Sequence, residues 1–429
     1  MKLSDLSEKK IGIWGFGVEG QATADYLKRK GLDFSVLCSP KEVDKQYTCI
    51  TDKVDTKLLN CFDVIVKSPG ISPYPEYVQK CQAHITSPTA LWFANEKKTT
   101  VIAITGTKGK STLVSLLTHI LNAFDKKTHL VGNIGQALIS SHSDYDYIVL
   151  EASSFQIYDG NIAAEIALLN NLYPEHLDWH NGQDNYFHDK LKIFDNAEIK
   201  ITNAQDSRIQ QRLPAKGLIY FNHKDGFHVL NSVLFYQKQK ILDLTEIQLI
   251  GHHNLENIGA VLTICLQLNL DLIKCVEAIK YFKPLVHRLQ NLGKVGQHYA
   301  INDSIATTPI ATLAAMQTVD LSQTTLLIGG FDRGHDWTDF AEALNNNPPN
   351  LLLISGQNAQ AIFQHLRQLK AEFNYKLLED LSSAIKYAKL NSPKNHTLLL
   401  SPGAPSFDQF ESYIQRGEFF QKEFKKDVS

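Results

Sequence analysis

Thr105-Gly106-Thr107-Lys108-Gly109-Lys110-Ser111-Thr112 lies between an apolar run, Val101–Ile104, and the start of a helical pattern. Glycines at this spacing let backbone N–H groups turn toward a phosphate, and a helix start adds a favourable dipole. Lys110 is suited to neutralise β/γ-phosphate charge, and the Ser111 hydroxyl to reach Mg²⁺. A standard loop of this kind carries a glycine five residues before its final Gly-Lys. Ile104 occupies that position, so this is a shortened variant. An incidental glycine turn would not account for strand, loop, Gly-Lys-Ser-Thr and helix in this order. This stretch fixes an α/β block that binds nucleotide.

Working outward, the chain reads as three alternating strand–helix blocks. Ahead of the loop, the apolar runs Ile11–Trp14, Phe34–Leu37 and Val64–Val66 form a small βαβ-type unit, and polar Asn95-Glu96-Lys97-Lys98 follows. Behind it, strands are expected near Tyr147–Leu150, Ile166–Leu169 and Ile199–Thr202. A β-meander is expected around Val229, Leu234–Tyr236 and Ile241–Leu244, then helices over His252–Leu268 and Leu272–Tyr281. The pattern resets near Lys283-Pro284, and Tyr299–Ile301, Thr325–Ile328, Leu351–Ile354 and Thr397–Leu400 alternate with helices. The boundaries so drawn are 1–92, 93–284 and 285–429, with doubly wound α/β architecture in at least the first and third blocks.

A second glycine loop, Gly15-Phe16-Gly17-Val18-Glu19-Gly20, ends the first strand. It fits the dinucleotide fingerprint, but Cys38 stands where a ribose-binding acid is expected. NAD(P), another nucleoside diphosphate and a structural turn all remain compatible with it. Downstream of the phosphate loop, Glu151 ends a strand, and His176 and Asp178 follow another. Carboxylate, imidazole and the Ser111 hydroxyl at neighbouring strand ends suit Mg²⁺ beside nucleotide phosphates. By spacing alone, His180 reads as a helix cap or surface residue, and Lys190 as a solvated helix lysine.

Composition narrows the class. The 429 residues are 43% hydrophobic and 21% charged, with a formal net charge of -2. That balance gives no whole-chain signal for nucleic acid or anionic membrane, so anion binding is local. Six cysteines without CxxC or CxxH spacing argue for reduced thiols and against structural zinc. The opening residues lack a signal-peptide core and no apolar run approaches a membrane span, so a cytoplasmic location is expected.

Taken in order, Gly106–Thr112, Gly132-Asn133-Ile134-Gly135, Glu151-Ala-Ser-Ser-Phe-Gln156, His176-Leu177-Asp178, His253-Asn254-x-x-Asn257, His287-Arg288 and Asn302-Asp303-Ser304 resemble the motifs of the Mur ligases. The chain looks like their glutamate-adding, MurD-type branch over nearly its whole length, including Ser401-Pro402-Gly403 and the following residues. Folylpolyglutamate synthases share the central block but are not expected to carry Glu-Ala-Ser-Ser-Phe-Gln or the Ser-Pro-Gly ending.

The resemblance implies a three-domain, ATP-dependent ligase. It would join glutamate to UDP-N-acetylmuramoyl-L-alanine through an acyl phosphate, as a monomer without nucleic-acid or membrane partners. Gly15, Phe16, Gly17, Val18, Ser68, Pro69, Gly70 and Asn133 would contact the UDP substrate. Gly106 to Thr112, Asn254, Asn257, Arg288 and Asp303 would contact ATP. Lys110, Glu151, His176 and Lys190 would be catalytic. Two Mg²⁺ ions would be held through Ser111, Glu151, His176 and Lys190, the last carbamylated. Thr307, Arg333, Ser406 and Tyr413 would grip glutamate.

Against the common family pattern, Ile305 replaces a lysine after Asn-Asp-Ser, Arg333 stands where lysine is frequent, and Cys38 replaces an acidic uracil contact. These departures favour L-glutamate over D-glutamate. A Rossmann oxidoreductase would leave the Gly-Lys-Ser-Thr loop idle, and a non-catalytic regulator would bind ATP without substrate-dependent turnover.

Overall fold

The computed structural model describes residues 1–133, 136–142, 144–249, 251–283, 286–368 and 373–426, with the backbone alone at 310 and 368. The chain forms two compact units, Met1–Ile247 with His253–Phe282, and Gln248–His252 with Lys283–Ser429. The boundary at residues 284 and 285, and Ile134-Gly135 of the Gly132–Gly135 motif, lie outside the described residues.

The first unit contains two parallel sheets. One comprises β1 (Ile11–Trp14), β2 (Phe34–Leu37), β3 (Cys49–Ile50), β4 (Val64–Lys67) and β5 (His84–Thr86), in the order β3-β2-β1-β4-β5. The other comprises β6 (Thr100–Thr105), β7 (Thr128–Gly132), β8 (Tyr147–Glu151), β9 (Ile166–Leu169), β10 (Ile199–Asn203) and β11 (Leu218–Phe221), in the order β11-β10-β9-β6-β8-β7. Every pairing in both is parallel. Parallel strands buried on both faces need continuous apolar runs, and β1, β4 and β9 are buried at every position. An antiparallel meander, β12 (Phe227–Leu230), β13 (Val233–Tyr236) and β14 (Gln239–Asp243), completes the strands of this unit.

One continuous hydrophobic core runs through both large sheets. It takes in Ile11, Val36 and Val66 of the first, Val101, Ile148 and Leu169 of the second, and Leu91 and Trp92 of the helix Pro88–Asn95. A line at 92/93 therefore falls inside that helix, whose end at Asn95 is where the polar stretch begins.

The second unit has one six-stranded sheet. Its strands are β15 (Gln290–Val295), β16 (His298–Asn302), β17 (Thr324–Ile328), β18 (Leu351–Ile354), β19 (Tyr375–Leu377) and β20 (Thr397–Leu400), in the order β15-β16-β20-β17-β18-β19. β15 and β16 pair antiparallel and the remaining pairs are parallel.

In open parallel sheets ligands bind beyond the carboxyl ends of strands, where the strand order reverses. The Gly15 loop leaves β1 between β2 and β4, and the phosphate-type loop leaves β6 between β9 and β8. In the second unit, Asp303 follows β16 and Ser401-Pro402 follows β20. Among the described residues no helix is long and apolar enough to cross a membrane.

Candidate active site

The loop Gly106–Gly109 runs from β6 into the helix Lys110–Ala123, whose buried stripe of Leu113, Leu116, Leu117, Ile120 and Leu121 fixes it on the sheet. Gly109 has φ +84, and a Cβ there would sit 2.8 Å from Asn170 Nδ2 and 2.9 Å from Asn257 Oδ1. Glycine at 109 thus leaves room for Asn257, on the helix His252–Gln267, to pack beside a loop far from it in sequence. Asn170 Nδ2 donates to Asn257 Oδ1 (3.0 Å) and Asn257 Nδ2 to Asn254 Oδ1 (3.1 Å). Ser111 and Thr112 are buried at the helix start.

Two lysines converge on this loop. Lys110 Nζ donates to the carbonyls of Gly106 (2.9 Å) and Thr107 (3.0 Å). Lys190 Nζ donates to the same Gly106 carbonyl (2.9 Å) and to Thr105 Oγ1 (3.2 Å). Lys190 is almost completely buried, so the solvated lysine expected from spacing is corrected. Burial, reinforced by the Lys110 charge, pushes its pKa well below the ordinary lysine value. Lys108 pairs with Glu175 (2.7 Å). Burial pushes the Glu175 carboxyl up, but the Lys108 ammonium outweighs it and holds the group below its usual range.

Glu151, at the end of β8, is fully buried. Its Oε1 accepts from Asn133 Nδ2 (2.9 Å), while Oε2 has no hydrogen-bond partner among the described residues. A buried carboxylate oxygen without a partner calls for a cation or donor. His176 is half-exposed at left-handed φ +56, with its ring 4.9 Å from Phe155. Burial lowers its pKa, with Glu175 opposing and Lys110 and Lys190 adding to the effect. A neutral imidazole is the form that binds a metal. The orphaned Glu151 oxygen, the Ser111 hydroxyl and neutral His176 fit Mg²⁺ chemistry, although among the described residues no three His, Cys, Asp or Glu side chains converge.

His180 is the clearest correction. It is wholly buried, not a cap or surface residue: Nδ1 lies 2.8 Å from Asp189 Oδ2 and Nε2 lies 2.9 Å from Ser154 Oγ. Tyr74 Oη from the first sheet's loop and Lys192 Nζ also donate to Asp189. Spacing missed this network because its members are far apart in sequence.

In the Gly15 loop, a Cβ at Gly20 would meet Gly15 O at 2.0 Å, whereas Gly17 has nothing within 4 Å. The loop is closed toward its helix Val18–Arg29 and open at Gly17. Phe16 is buried, its ring against Tyr47, while Val18 is exposed. Ser68 Oγ donates to Gly15 O (3.0 Å), joining Ser68-Pro69-Gly70 to this loop.

The second unit gathers its own cluster. Asp303 accepts from Ser401 Oγ (2.8 Å) and Leu289 N–H (3.1 Å). Burial pushes its pKa up to about 7 against those bonds and the nearby Arg288 and Arg416. Arg416, missed in the sequence, donates from Nε to Ser304 Oγ and from Nη2 and Nη1 to the carbonyls of Ser304, Ala404 and Pro405. A signal existed: Arg416, Phe420 and Phe424 share one buried helical stripe. Ser406 is buried, and its hydroxyl has no partner among the described residues. Tyr413 and Thr307 are half-buried, and exposed Arg333 lies 5.7 Å from the Phe407 ring. Arg288 is half-buried beside buried His287.

The Asp303 shift predicts a pH effect. The unfolded carboxyl ionises near the ordinary aspartate value of 3.8 and the folded one near about 7. Its stabilising contribution is full below the lower value and lost as pH rises through the upper one. Asp303→Asn removes that loss. Thermal melts at about pH 5 and about pH 8 should show the second unit of the variant gaining on wild type toward the higher pH. A constant difference would contradict the shift.

Comparison with known proteins gives a consistent picture. The model of the Mur ligase middle domain matches residues 104–265. The chain is 37% identical to a UDP-N-acetylmuramoyl-L-alanine--L-glutamate ligase of Xanthomonas campestris pv. campestris (strain 8004), over 98% of this chain and 96% of that protein. It is 29% identical to a ligase of the same name from Micromonospora sp., over 98% and 97%. Among solved structures, MurF ligase of Thermotoga maritima in complex with ADP aligns with TM-score 0.61 at 14% identity, covering 100% of this chain and 97% of that one. MurC of the same organism aligns at 0.58 and 17%, covering 97% and 98%.

Proposed function

The chain belongs to the Mur ligase family of ATP-dependent, peptide-bond-forming enzymes, and we propose that it joins L-glutamate to UDP-N-acetylmuramoyl-L-alanine in cytoplasmic peptidoglycan precursor synthesis. The observation that carries this reading is the convergence of Lys110 and buried Lys190 on the Gly106 carbonyl. Lys110 brings a positive charge to this phosphate-type loop, and Lys190 brings a buried amine that carbamylation would turn into a metal ligand. Together they suit a site for a polyanion whose charge grows as a phosphoryl group transfers.

In the proposed reaction the alanyl carboxylate attacks the γ-phosphorus of ATP, the bond to the β-phosphate oxygen breaks, and ADP leaves. The neutral amine of glutamate then attacks the carbonyl carbon of the acyl phosphate. The tetrahedral intermediate expels phosphate and the nitrogen gives up a proton. Lys110 exchanges its bonds to the loop carbonyls for phosphate oxygens, and Asn254 and Asn257 hold the loop's flank beside the adenine. Ser111, Glu151, His176 and a carbamylated Lys190 would hold two Mg²⁺ ions, which neutralise and orient phosphate oxygens when bound. Carbamylation is chemically accessible to Lys190 because its depressed pKa supplies the free amine: nitrogen bonds to the carbon of CO₂ and one proton is released.

Gly15, Gly17, Val18, Ser68, Pro69, Gly70 and the Phe16 backbone would face the UDP substrate, with Asn133 nearer its reacting end. In the second unit Arg288 and Asp303 would meet ATP. Thr307, Arg333, Ser406 and Tyr413 would take glutamate, Ser406 offering a buried hydroxyl with no partner among the described residues. The L-glutamate choice rests on the names of the relatives and on Ile305 replacing a lysine.

Phosphate release with ATP, Mg²⁺ and UDP-N-acetylmuramoyl-L-alanine tests this directly. Turnover is expected with L-glutamate and not with D-glutamate. Turnover with the D form alone would reverse the assignment of chirality, and none with either would overturn the ligation proposed.

A further inference from the structure

The turn after β4 is held from beneath by two side chains whose ring and charge also meet each other. Lys67, the last residue of β4, is fully buried. Its Nζ donates to the carbonyls of Ile71 (2.9 Å) and Ser68 (3.4 Å). It also pairs with Asp159 (3.1 Å), on the helix Ser154–Gly160. Trp179 Nε1 donates to the Gly70 carbonyl (3.0 Å), and Ser72 Oγ donates back to Trp179 O. Lys67 Nζ lies 5.6 Å from the centre of the Trp179 ring, within cation–π range.

The amides of the turn are also accounted for. Ser68 N–H bonds to Trp14 O (2.8 Å) and Ile71 N–H to Ser68 O (3.1 Å). Proline has no N–H. The Gly70 N–H is the turn's remaining donor, on an exposed residue with nothing within 4 Å of where a Cβ would be. Three carbonyls of the turn are thus held by side chains, and the exposed Gly70 keeps its amide without a backbone partner among the described residues, in a turn that Ser68 ties to the Gly15 loop.

We infer that Lys67 and Trp179 are positioning residues that hold the Gly70 amide as a donor for the nucleoside-diphosphate end of the substrate. The inference rests on the substrate reading proposed above. A buried lysine paired with a half-buried aspartate contributes little net stability in itself. What it supplies is two fixed donors to the turn's carbonyls, with the third on Asp159. Burial raises the Asp159 pKa while Lys67 opposes the rise, so the pair stands or falls together. The two grips come from different parts of the chain, one from the first sheet and one from the segment that carries His176, and both belong to the first unit.

Trp179→Phe keeps a ring over Lys67 and removes the Nε1 donor. Calorimetric titration of the full chain with UDP-N-acetylmuramoyl-L-alanine is expected to show a dissociation constant raised about tenfold, about 1.4 kcal/mol, the scale of one lost hydrogen bond. ATP binding stays unchanged, and kcat at saturation stays within about twofold, as expected when only ground-state positioning is lost. The double variant Lys67→Met with Asp159→Asn, which leaves no buried charge unpaired, should weaken the same substrate in the same way. Unchanged affinity in a folded Trp179→Phe, or a fall in kcat with unchanged affinity, overturns the positioning role. Failure of the wild-type chain to bind this substrate at all would instead overturn the substrate reading, and this inference with it.

Discussion

Lys110→Ala is expected to lower phosphate-releasing turnover by about a thousandfold or more and to leave the first unit folded. The magnitude is that of removing one preorganised charge or donor from a site where negative charge develops. The side chain now rests on the Gly106 and Thr107 carbonyls at 2.9 and 3.0 Å. Those are bonds to neutral acceptors, which a phosphate oxygen displaces readily because charge-assisted bonds are about twice as strong. Lys110 is the first residue of its helix and only half-buried, so truncation leaves the stripe of Leu113, Leu117 and Ile120 intact. Phosphate release and a circular-dichroism melt measure the two halves of this prediction. Retained turnover in a folded variant would remove the loop from the reaction.

Lys190→Ala should cost about a hundredfold or more in turnover, with partial recovery in acetate. The logic is electrostatic. An ammonium here would sit without water, facing the like charge of Lys110, and both effects drive it toward the neutral amine. That amine is the form that captures CO₂. A carbamate would put a negative group where Lys110, and Mg²⁺ when bound, would favour one. Alanine leaves a space that acetate can enter and supplies no carboxylate of its own. A labelled-bicarbonate ¹³C spectrum gives a second readout: a carbamate resonance in wild type that is missing from the variant. Full activity without acetate, or no carbamate signal in an active wild type, would count against the modification.

His180 and Lys190 mark where reading by spacing fails. Lys190 lies in the polar run His188-Asp189-Lys190 and His180 in the mixed Leu177-Asp178-Trp179-His180, and neither stretch has a periodic apolar face that marks it as buried. Both residues are buried because partners satisfy them: Ser154 and the nearer Asp189 for His180, Thr105 and Gly106 for Lys190. Such pairing removes the penalty of burying a polar group, and Ser154, Thr105 and Gly106 lie too far along the chain for local reading to find. The family resemblance singled out Lys190 where spacing did not. Lys67 left a fainter trace, a lysine closing the run Val64-Ile65-Val66.

What the sequence by itself determined was the interior of each large sheet. The strands expected there recur in the structure, some with the same limits, as at Ile11–Trp14, Ile166–Leu169 and Leu351–Ile354, and others a residue longer at one or both ends, as at Thr100–Thr105 and His298–Asn302. Interior parallel strands must be apolar along their length, and that requirement is written locally. The Gly-Lys-Ser-Thr loop was legible for the same reason, since its turn and helix start are set by adjacent residues. The six strands that the sequence did not disclose, β3, β5, β7, β11, β15 and β19, are the two edges of each of the three large sheets. An edge is partly exposed and paired on one side, so its residues need no apolar run, and β3, β15 and β19 contain no buried position. Only the tertiary structure decided these edges, the buried network around His180 and the grip of Lys67 and Trp179 on the Ser68 turn, because each depends on which distant backbone or side chain arrives to complete it.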